Sequence, residues 1–282
     1  MIKKQELTTY IENYLKEDIG DGDHSSRACI PDSIQGKAQL LVKEKGILAG
    51  IAIAELIFNI VDKNLLFSKK LDDGSSINLG DIAFTIEGNS QSILTAERLV
   101  LNCMQRMSGI ATTTNQYVNL TKGTKAKVLD TRKTTPGFRL FEKLAVKIGG
   151  GENHRMGLYD MIMIKDNHID YAGGIEAAIN KVNNYLYEKD KNLPIEIEAR
   201  NLTELDEILT VGKVNRIMLD NFSIVDTKTA VNLIRGKYEI ESSGGITIDT
   251  IRSYAKCGVD FISVGALTHQ IKSLDLSLKA VN

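Results

Sequence analysis

The stretch "IEIEA", Ile195–Ala199, alternates apolar and acidic residues, and its reading decides the fold. Successive side chains of a strand point to opposite faces, so Ile195 and Ile197 share one face and Glu196 and Glu198 the other. Five more short β-type runs flank it: "AKVLD" (126–130), "MIMIK" (161–165), "RIMLD" (216–220), "YEIES" (238–242) and "FISVG" (261–265). Helical or mixed segments such as "IEAAINKVNNYLYE" and "TELDEILTVG" separate them, with steps about one βα unit long. That rhythm predicts parallel strands joined by helices. Six or seven such units suggest a barrel, with an open doubly wound sheet as the structural alternative. In a barrel the isoleucines turn toward the helices and Glu196 and Glu198 turn inward. Two interior carboxylates cost on the order of several kcal/mol each unless they are paired or coordinated.

The polar residues fall at the strand ends. The six runs terminate at Asp130, Lys165, Glu198, Asp220, Ser243 and Gly265. In a β/α barrel the C-terminal strand ends form the mouth where sites are built. Any one such residue reads equally well as a solvated strand end or a structural ion pair; many strands ending alike point to a site. Within "VLDTRKTTPG" (128–137), Asp130, Arg132 and Lys133 follow an apolar run and sit where an anionic substrate would neutralise the two cations. "GGGENHRMG" (149–157) adds His154, a titratable ring, and Arg155, a fork for a carboxylate. The glycines of "ESSGGI" (241–246) and "VGAL" (264–267) expose backbone N–H groups after the last two strands, where such barrels commonly hold a phosphate. Tight packing turns are the alternative. Glu198 and Asp220 could bind Mg²⁺ or sugar hydroxyls in between.

Composition limits the partners. Of 282 residues 43% are hydrophobic and 25% charged, with net charge −1, so no basic excess exists to neutralise a nucleic-acid backbone. Cys29, Cys103 and Cys257 are scattered without metal-ligand spacing, which suits a reducing cytoplasm. The most apolar segment, "GILAGIAIAELIFNIV", is short, contains Glu55 and reads as a buried helix, not a membrane span. "MIKKQELTTYIENYLKEDIG" reads as an amphipathic helix with no apolar h-region of a signal peptide. Residues 21–84 mix short alternating runs with one long helix near 50–60 and read as a small α+β domain. In "TAERLVLNCMQRMSGIATTTNQYVNLT" the helical spacing puts Leu99, Cys103, Met107 and Ile110 on one face, predicting one or two bridging helices.

These motifs together resemble the quinolinate phosphoribosyltransferase family (nicotinate-nucleotide pyrophosphorylase, carboxylating). "EDIGDGDHSS", "TAERLVLN…SGIAT", "KVLDTRKTTPG", "GGGENHRMGLYD", "IKDNH", "EIEA", "LDNF", "ESSGGI" and "VGALTH" carry the resemblance over nearly the whole chain. It implies an N-terminal α/β sandwich domain (1–110, joined by a tail from about 271 to 282) and an incomplete, open α/β barrel (111–270). It implies a homodimer that joins quinolinate to 5-phosphoribosyl 1-diphosphate (PRPP), releasing CO₂ and diphosphate, with Mg²⁺ assisting. By resemblance Arg132, His154, Arg155 and Lys165 grip quinolinate, with Arg98 reaching in from the neighbouring subunit. Lys133 spans quinolinate and diphosphate. Glu198 and Asp220 hold the ribose hydroxyls and metal, and Ser243, Gly244, Gly245, Gly265 and Ala266 receive the 5-phosphate. Lys133, Lys165, Glu198 and Asp220 form the catalytic set. His168 stays open between structural hydrogen bonding and a site role, and His269 is placed near the phosphate loop. Ala199-Arg200 and His24 depart from the family's usual residues. A paralogous phosphoribosyltransferase, nicotinate phosphoribosyltransferase, a Schiff-base aldolase using Lys165 and an inactive metabolite-binding protein are the rivals.

Overall fold

The computed structural model describes residues 4–281, so the first three residues of the expected N-terminal helix and the last of the tail lie outside the described residues. The elements run α1 (Lys4–Ile19), α2 (His24–Cys29), β1 (Gln35–Val42), β2 (Gly46–Ile47), α3 (Ile51–Val61), β3 (Leu66–Lys69), β4 (Ser76–Ile77), β5 (Ile82–Asn89) and α4 (Ser90–Thr121). Then come β6 (Lys127–Leu129), α5 (Arg139–Ile148), β7 (Ile162–Ile164), α6 (Asp166–Ala172), α7 (Ile175–Glu188), β8 (Ile195–Ala199), α8 (Leu202–Val211) and β9 (Arg216–Asp220). The chain ends through α9 (Ile224–Ile234), β10 (Glu239–Ser243), α10 (Ile251–Lys256), β11 (Phe261–Ser263), α11 (Ala266–His269) and β12 (Leu276–Val281). Two compact units result. One gathers the described residues up to Thr113, Leu140–Gly149 and those from Ile271 on; the other gathers Thr114–Arg139 and Gly150–Gln270.

In the first unit an antiparallel sheet of order β12-β1-β5-β3 packs beside α3. The apolar run that reads as a buried helix becomes α3, which buries Ile51, Ile53, Ala54, Ile57 and Phe58. Phe58 meets Phe84 of β5 edge-on at 5.9 Å between ring centroids, a favourable aromatic geometry. The helix starts where Asp73 accepts the N–H groups of Gly50 (2.6 Å) and Ile51 (2.9 Å), satisfying donors no helical carbonyl can reach. The expected bridge of one or two helices is a single 32-residue helix, α4, begun five residues earlier than its motif and capped by the Asn89 side chain, which accepts from Ser92 N at 3.0 Å. Leu99, Cys103, Met107 and Ile110 are all buried along it. Gly109 interrupts nothing, because a Cβ there would lie 2.3 Å from the Lys272 carbonyl; the glycine admits the C-terminal segment.

The second unit is one sheet of six parallel strands in the order β6-β11-β10-β9-β8-β7. "IEIEA" and "RIMLD" match β8 and β9 residue for residue. "AKVLD", "MIMIK" and "FISVG" shrink to three-residue strands, and β10 begins one residue later than "YEIES". A closed cylinder would need a ladder between β6 and β7. Among the described residues β6 and β7 share no ladder; β6 instead makes an isolated parallel bridge from Leu129 to Glu152, in the segment between α5 and β7. The two units are an open α/β barrel and a smaller sheet-and-helix unit.

Candidate active site

A cleft of about 860 Å³ opens in the barrel unit. Five basic residues expected at the site line it: Arg132, Lys133 and Lys165 from the strand ends, and His154 and Arg155 from the glycine-rich segment. Glu198 and Asp220 join them, and so do Ser243, Gly244, Gly245, Gly265 and Ala266 from the loops after β10 and β11. His269 also lines the cleft, as its place after the glycine loop suggested.

Each group is held by the chain around it. Asp130, read from sequence as one of the mouth charges, is instead fully buried. Its carboxylate accepts from Asn153 Nδ2 (2.5 Å) and His154 N (2.9 Å), so it anchors the loop that carries His154 and Arg155. Asp160 ties the far side of that loop, accepting from Met156 N (2.7 Å) and Gly157 N (2.9 Å). The Lys133 carbonyl receives the Thr268 hydroxyl at 2.8 Å, joining the β6 loop to α11. Lys165 Nζ lies 2.5 Å from Glu198 Oε1, so the ends of β7 and β8 are ion-paired. His168 does not line the cleft. It is exposed and its Nδ1 accepts from Lys165 N (2.9 Å), fixing the start of α6. At the end of β9, Asp220 Oδ2 accepts from Asn221 Nδ2 at 2.8 Å, and Asn221 N donates to the Ser243 carbonyl at 2.9 Å.

The glycine loop needs glycine. Gly244 has φ +92°, and a Cβ there would fall 2.2 Å from Asn221 Oδ1. Side-chain-free backbone at this position lets the loop pass Asn221 and present its amides. At the other end of the cleft, burial and the neighbouring Arg132 charge lower the Arg155 pKa from its ordinary value. Two guanidinium groups brought together in partial burial favour an anion between them.

Around His154 lies a polar layer in which the sequence reading turned Glu196 inward but assigned no role to Glu241 or Arg216. His154 Nε2 is 2.9 Å from Glu196 Oε2 and 3.4 Å from Glu241 Oε2. Arg216, at the first residue of β9, places Nη1 3.2 Å from the same Glu241 oxygen and stacks 3.9 Å over the Phe261 ring. Glu196 and Glu241 are fully buried. Burial lowers the His154 pKa, but the two carboxylates outweigh it and raise it to about 9. Burial and the Glu241 charge raise Glu196 to about 7, while for Glu241 the His154, Ser263 and Arg216 contacts overcome burial and hold it low. The Arg155 amide donates to His154 Nδ1 at 2.7 Å, a bond that only the neutral ring, with its proton on Nε2, can accept, so it opposes the pull of the carboxylates toward the charged form. His154 and Glu196 then share one proton, and Glu239, 3.0 Å from Arg216 Nη2, adds a further carboxylate at the more exposed edge of the cluster. His154, Glu196 and Glu241 are spaced closely enough to ligate a metal ion, but Arg216 already supplies the countercharge. Two signals pointed here: "EIE" at 239–241 repeats the alternation of "IEIEA", and an arginine opens "RIMLD".

Arg98 is the one expected site residue outside the cleft. It lies on α4 in the first unit and lines a separate hollow with Asp23, Ser26 and Cys29. The departures from the family pattern are local. Ala199 is buried in β8, Arg200 pairs with Glu204 (2.7 Å) and Asp170 (3.3 Å), and exposed His24 sits 3.4 Å from Asp21.

Comparison with known proteins agrees with this geometry. The family model for the quinolinate phosphoribosyl transferase N-terminal domain matches residues 23–108, and that for the C-terminal domain matches residues 110–279. Quinolinate phosphoribosyltransferase [decarboxylating] 1b of Nicotiana tabacum is 45% identical over 97% of this chain and 82% of its own. The chloroplastic nicotinate-nucleotide pyrophosphorylase [carboxylating] of Arabidopsis thaliana has the same identity and coverage. Among solved structures, NadC from Streptococcus pyogenes superposes with a TM-score of 0.93 at 38% identity, covering 100% of this chain and 99% of that one. Two matched domains, relatives of this similarity along nearly the full chain, and a cleft where the expected cations converge lead to one conclusion: the chain belongs to the quinolinate phosphoribosyltransferase family.

Proposed function

We propose a division of labour within the cleft for this family's reaction, phosphoribosyl transfer from PRPP to quinolinate with loss of CO₂, giving nicotinate mononucleotide and diphosphate in de novo NAD biosynthesis. The observation that carries it is the gathering of Arg132, Lys133, His154, Arg155 and Lys165 in one cleft with Glu198, Asp220 and two glycine loops. Quinolinate is a dicarboxylate, and Arg132, Arg155, Lys165 and His154 supply the cations to orient it. Ser243, Gly244, Gly245, Gly265 and Ala266 supply small side chains and exposed amides for the 5-phosphate. Lys133 lies between them and can follow charge from quinolinate to the departing diphosphate. Glu198 and Asp220, at neighbouring strand ends, suit the ribose hydroxyls.

The same two carboxylates are hard oxygen donors, the ligand type Mg²⁺ prefers, and could hold it together with PRPP oxygens. Bound there, Mg²⁺ would neutralise charge on the diphosphate. The protein's own groups do the rest by position. As the pyridine nitrogen bonds to the anomeric carbon and diphosphate leaves, Glu198 and Asp220 stabilise positive character on the sugar. The nitrogen is then cationic. The bond to the adjacent carboxylate breaks, its electron pair stays on the ring carbon beside that nitrogen, CO₂ leaves and the carbon takes a proton. Preorganised charge accounts for this course without a covalent enzyme intermediate. A Schiff-base role for Lys165 fits less well, since its Nζ is ion-paired with Glu198.

Purified protein given quinolinate, PRPP and Mg²⁺ should release CO₂ and nicotinate mononucleotide. Turnover of nicotinate in place of quinolinate would overturn the assignment, and borohydride trapping of Lys165 would support the aldolase instead. Arg98 acts, in this reading, from the partner subunit of a homodimer. Arg98→Ala and Lys133→Ala chains should each be inactive, and mixing them should restore part of the activity in hybrid dimers. Subunit exchange without recovery would remove that part of the proposal. We place the enzyme in the cytoplasm, the setting that its scattered cysteines suit.

A further inference from the structure

Two carboxylates buried beneath a site for a dicarboxylate need a reason. Glu196 and Glu241 come from strands separated by β9, yet both converge on His154 Nε2, and Arg216 of the intervening strand closes the cluster. A barrel wall needs no charge at these positions. Filling them with apolar side chains would avoid the desolvation of three ionic groups and is often neutral or stabilising. The layer also reaches the site itself. His154 and Glu241 both line the cleft, and Glu196 acts electrostatically on Arg155. Without these carboxylates His154 and Arg155, unlike Lys165 with its Glu198 partner, would present their charge to the dicarboxylate with little beneath to offset it.

We propose that Glu241, backed by Glu196, is a positioning residue acting through His154 and Arg155, offsetting their charge from below so that the cleft orients a pyridine dicarboxylate without clamping the carboxylate that must leave. This rests on the assignment of that end of the cleft to quinolinate. Only interactions stronger in the transition state than in the ground state speed a step. The departing group loses its negative charge as the carbon–carbon bond breaks: the electron pair remains on the ring carbon beside the cationic nitrogen, neutral CO₂ departs, and water supplies the proton that quenches the carbon. A stronger cation field therefore holds the ground state more than the transition state.

The test compares Glu241→Gln, Glu241→Asp and the double variant Glu196→Gln/Glu241→Gln with the unaltered enzyme. Calorimetry gives the affinity for quinolinate and for the mono-acid nicotinate, and single-turnover CO₂ release with PRPP and Mg²⁺ gives the chemical rate. Glu241→Gln should bind quinolinate more tightly and release CO₂ more slowly, each by on the order of tenfold for one added net charge in a partly buried site. Nicotinate should gain less affinity than quinolinate. The double variant should show a split in the same direction, and Glu241→Asp should resemble the unaltered enzyme. Weaker binding together with slower release would overturn the proposal, as would an aspartate variant that behaves like the glutamine one or no change in any variant. If Glu241→Gln does not fold, Glu196→Gln carries the test, with a smaller split in the same direction. Turnover of quinolinate by the unaltered enzyme checks the underlying assignment separately.

Discussion

The two ends of the cleft are built from different parts of the chain. The end holding Arg132, His154, Arg155 and Lys165 is made of charged side chains: Asp130 holds the His154 amide, Arg155 Nη1 donates to the Met161 carbonyl at 3.1 Å, and Lys165 pairs with Glu198. The end formed by Ser243–Gly245 and Gly265 is made of backbone, with small residues that keep it bare. The difference shows where specificity resides. Side-chain cations can be placed to match two carboxylates on a ring, whereas bare amides suit a phosphate common to many substrates.

Removing a charge should damage the first end most. Lys165→Ala deletes a cation from the cleft and unpairs Glu198, and should reduce kcat/KM by about 10²–10³-fold. Steady-state assays varying quinolinate would detect it; a loss confined to PRPP would break the comparison. At the backbone end, Gly244→Ala forces a Cβ against Asn221 at positive φ, a strain of roughly 1–3 kcal/mol. We expect the KM for PRPP to rise about tenfold, as that strain shifts the loop, with quinolinate affinity by calorimetry unchanged.

The polar floor should report on pH. The folded-state pKa of His154 is raised from 6.5 to about 9, so its contribution is complete below pH 6.5 and fades as pH climbs through 9. Denaturation of the unaltered protein should lose at most about 3 kcal/mol more than His154→Gln between those limits, the ceiling being set by the proton shared with Glu196. Parallel pH curves for the two proteins would contradict it. The smallest effect belongs to His168→Ala, which removes the α6 cap at a cost of about 1 kcal/mol and should leave quinolinate affinity close to normal. Thermal melts and calorimetry would check both halves.

The same contrast explains what the sequence made legible. β8 and β9 could be read to the residue because two-fold alternation and polar ends are local signals. The cleft cations were visible because charge at the end of an apolar run is conspicuous. Glu241 and Arg216 were not assigned, since their pairing with His154 joins three separate segments and no local pattern distinguishes it from surface charge. Asp130 looked like a site charge for the same reason: only the fold shows that it faces Asn153 and the His154 amide. Likewise nothing in "RLFEKLAVKI" announces that α5 clusters with the first unit, although it lies between two barrel strands in the chain.

The unpaired seam between β6 and β7 has a consequence for how this barrel could evolve or be redesigned. The chain between those strands is the stretch that brings His154 and Arg155 to the cleft, so under the proposed assignment a redesign that closed the cylinder there would have to rebuild the end of the cleft meant for the pyridine acid.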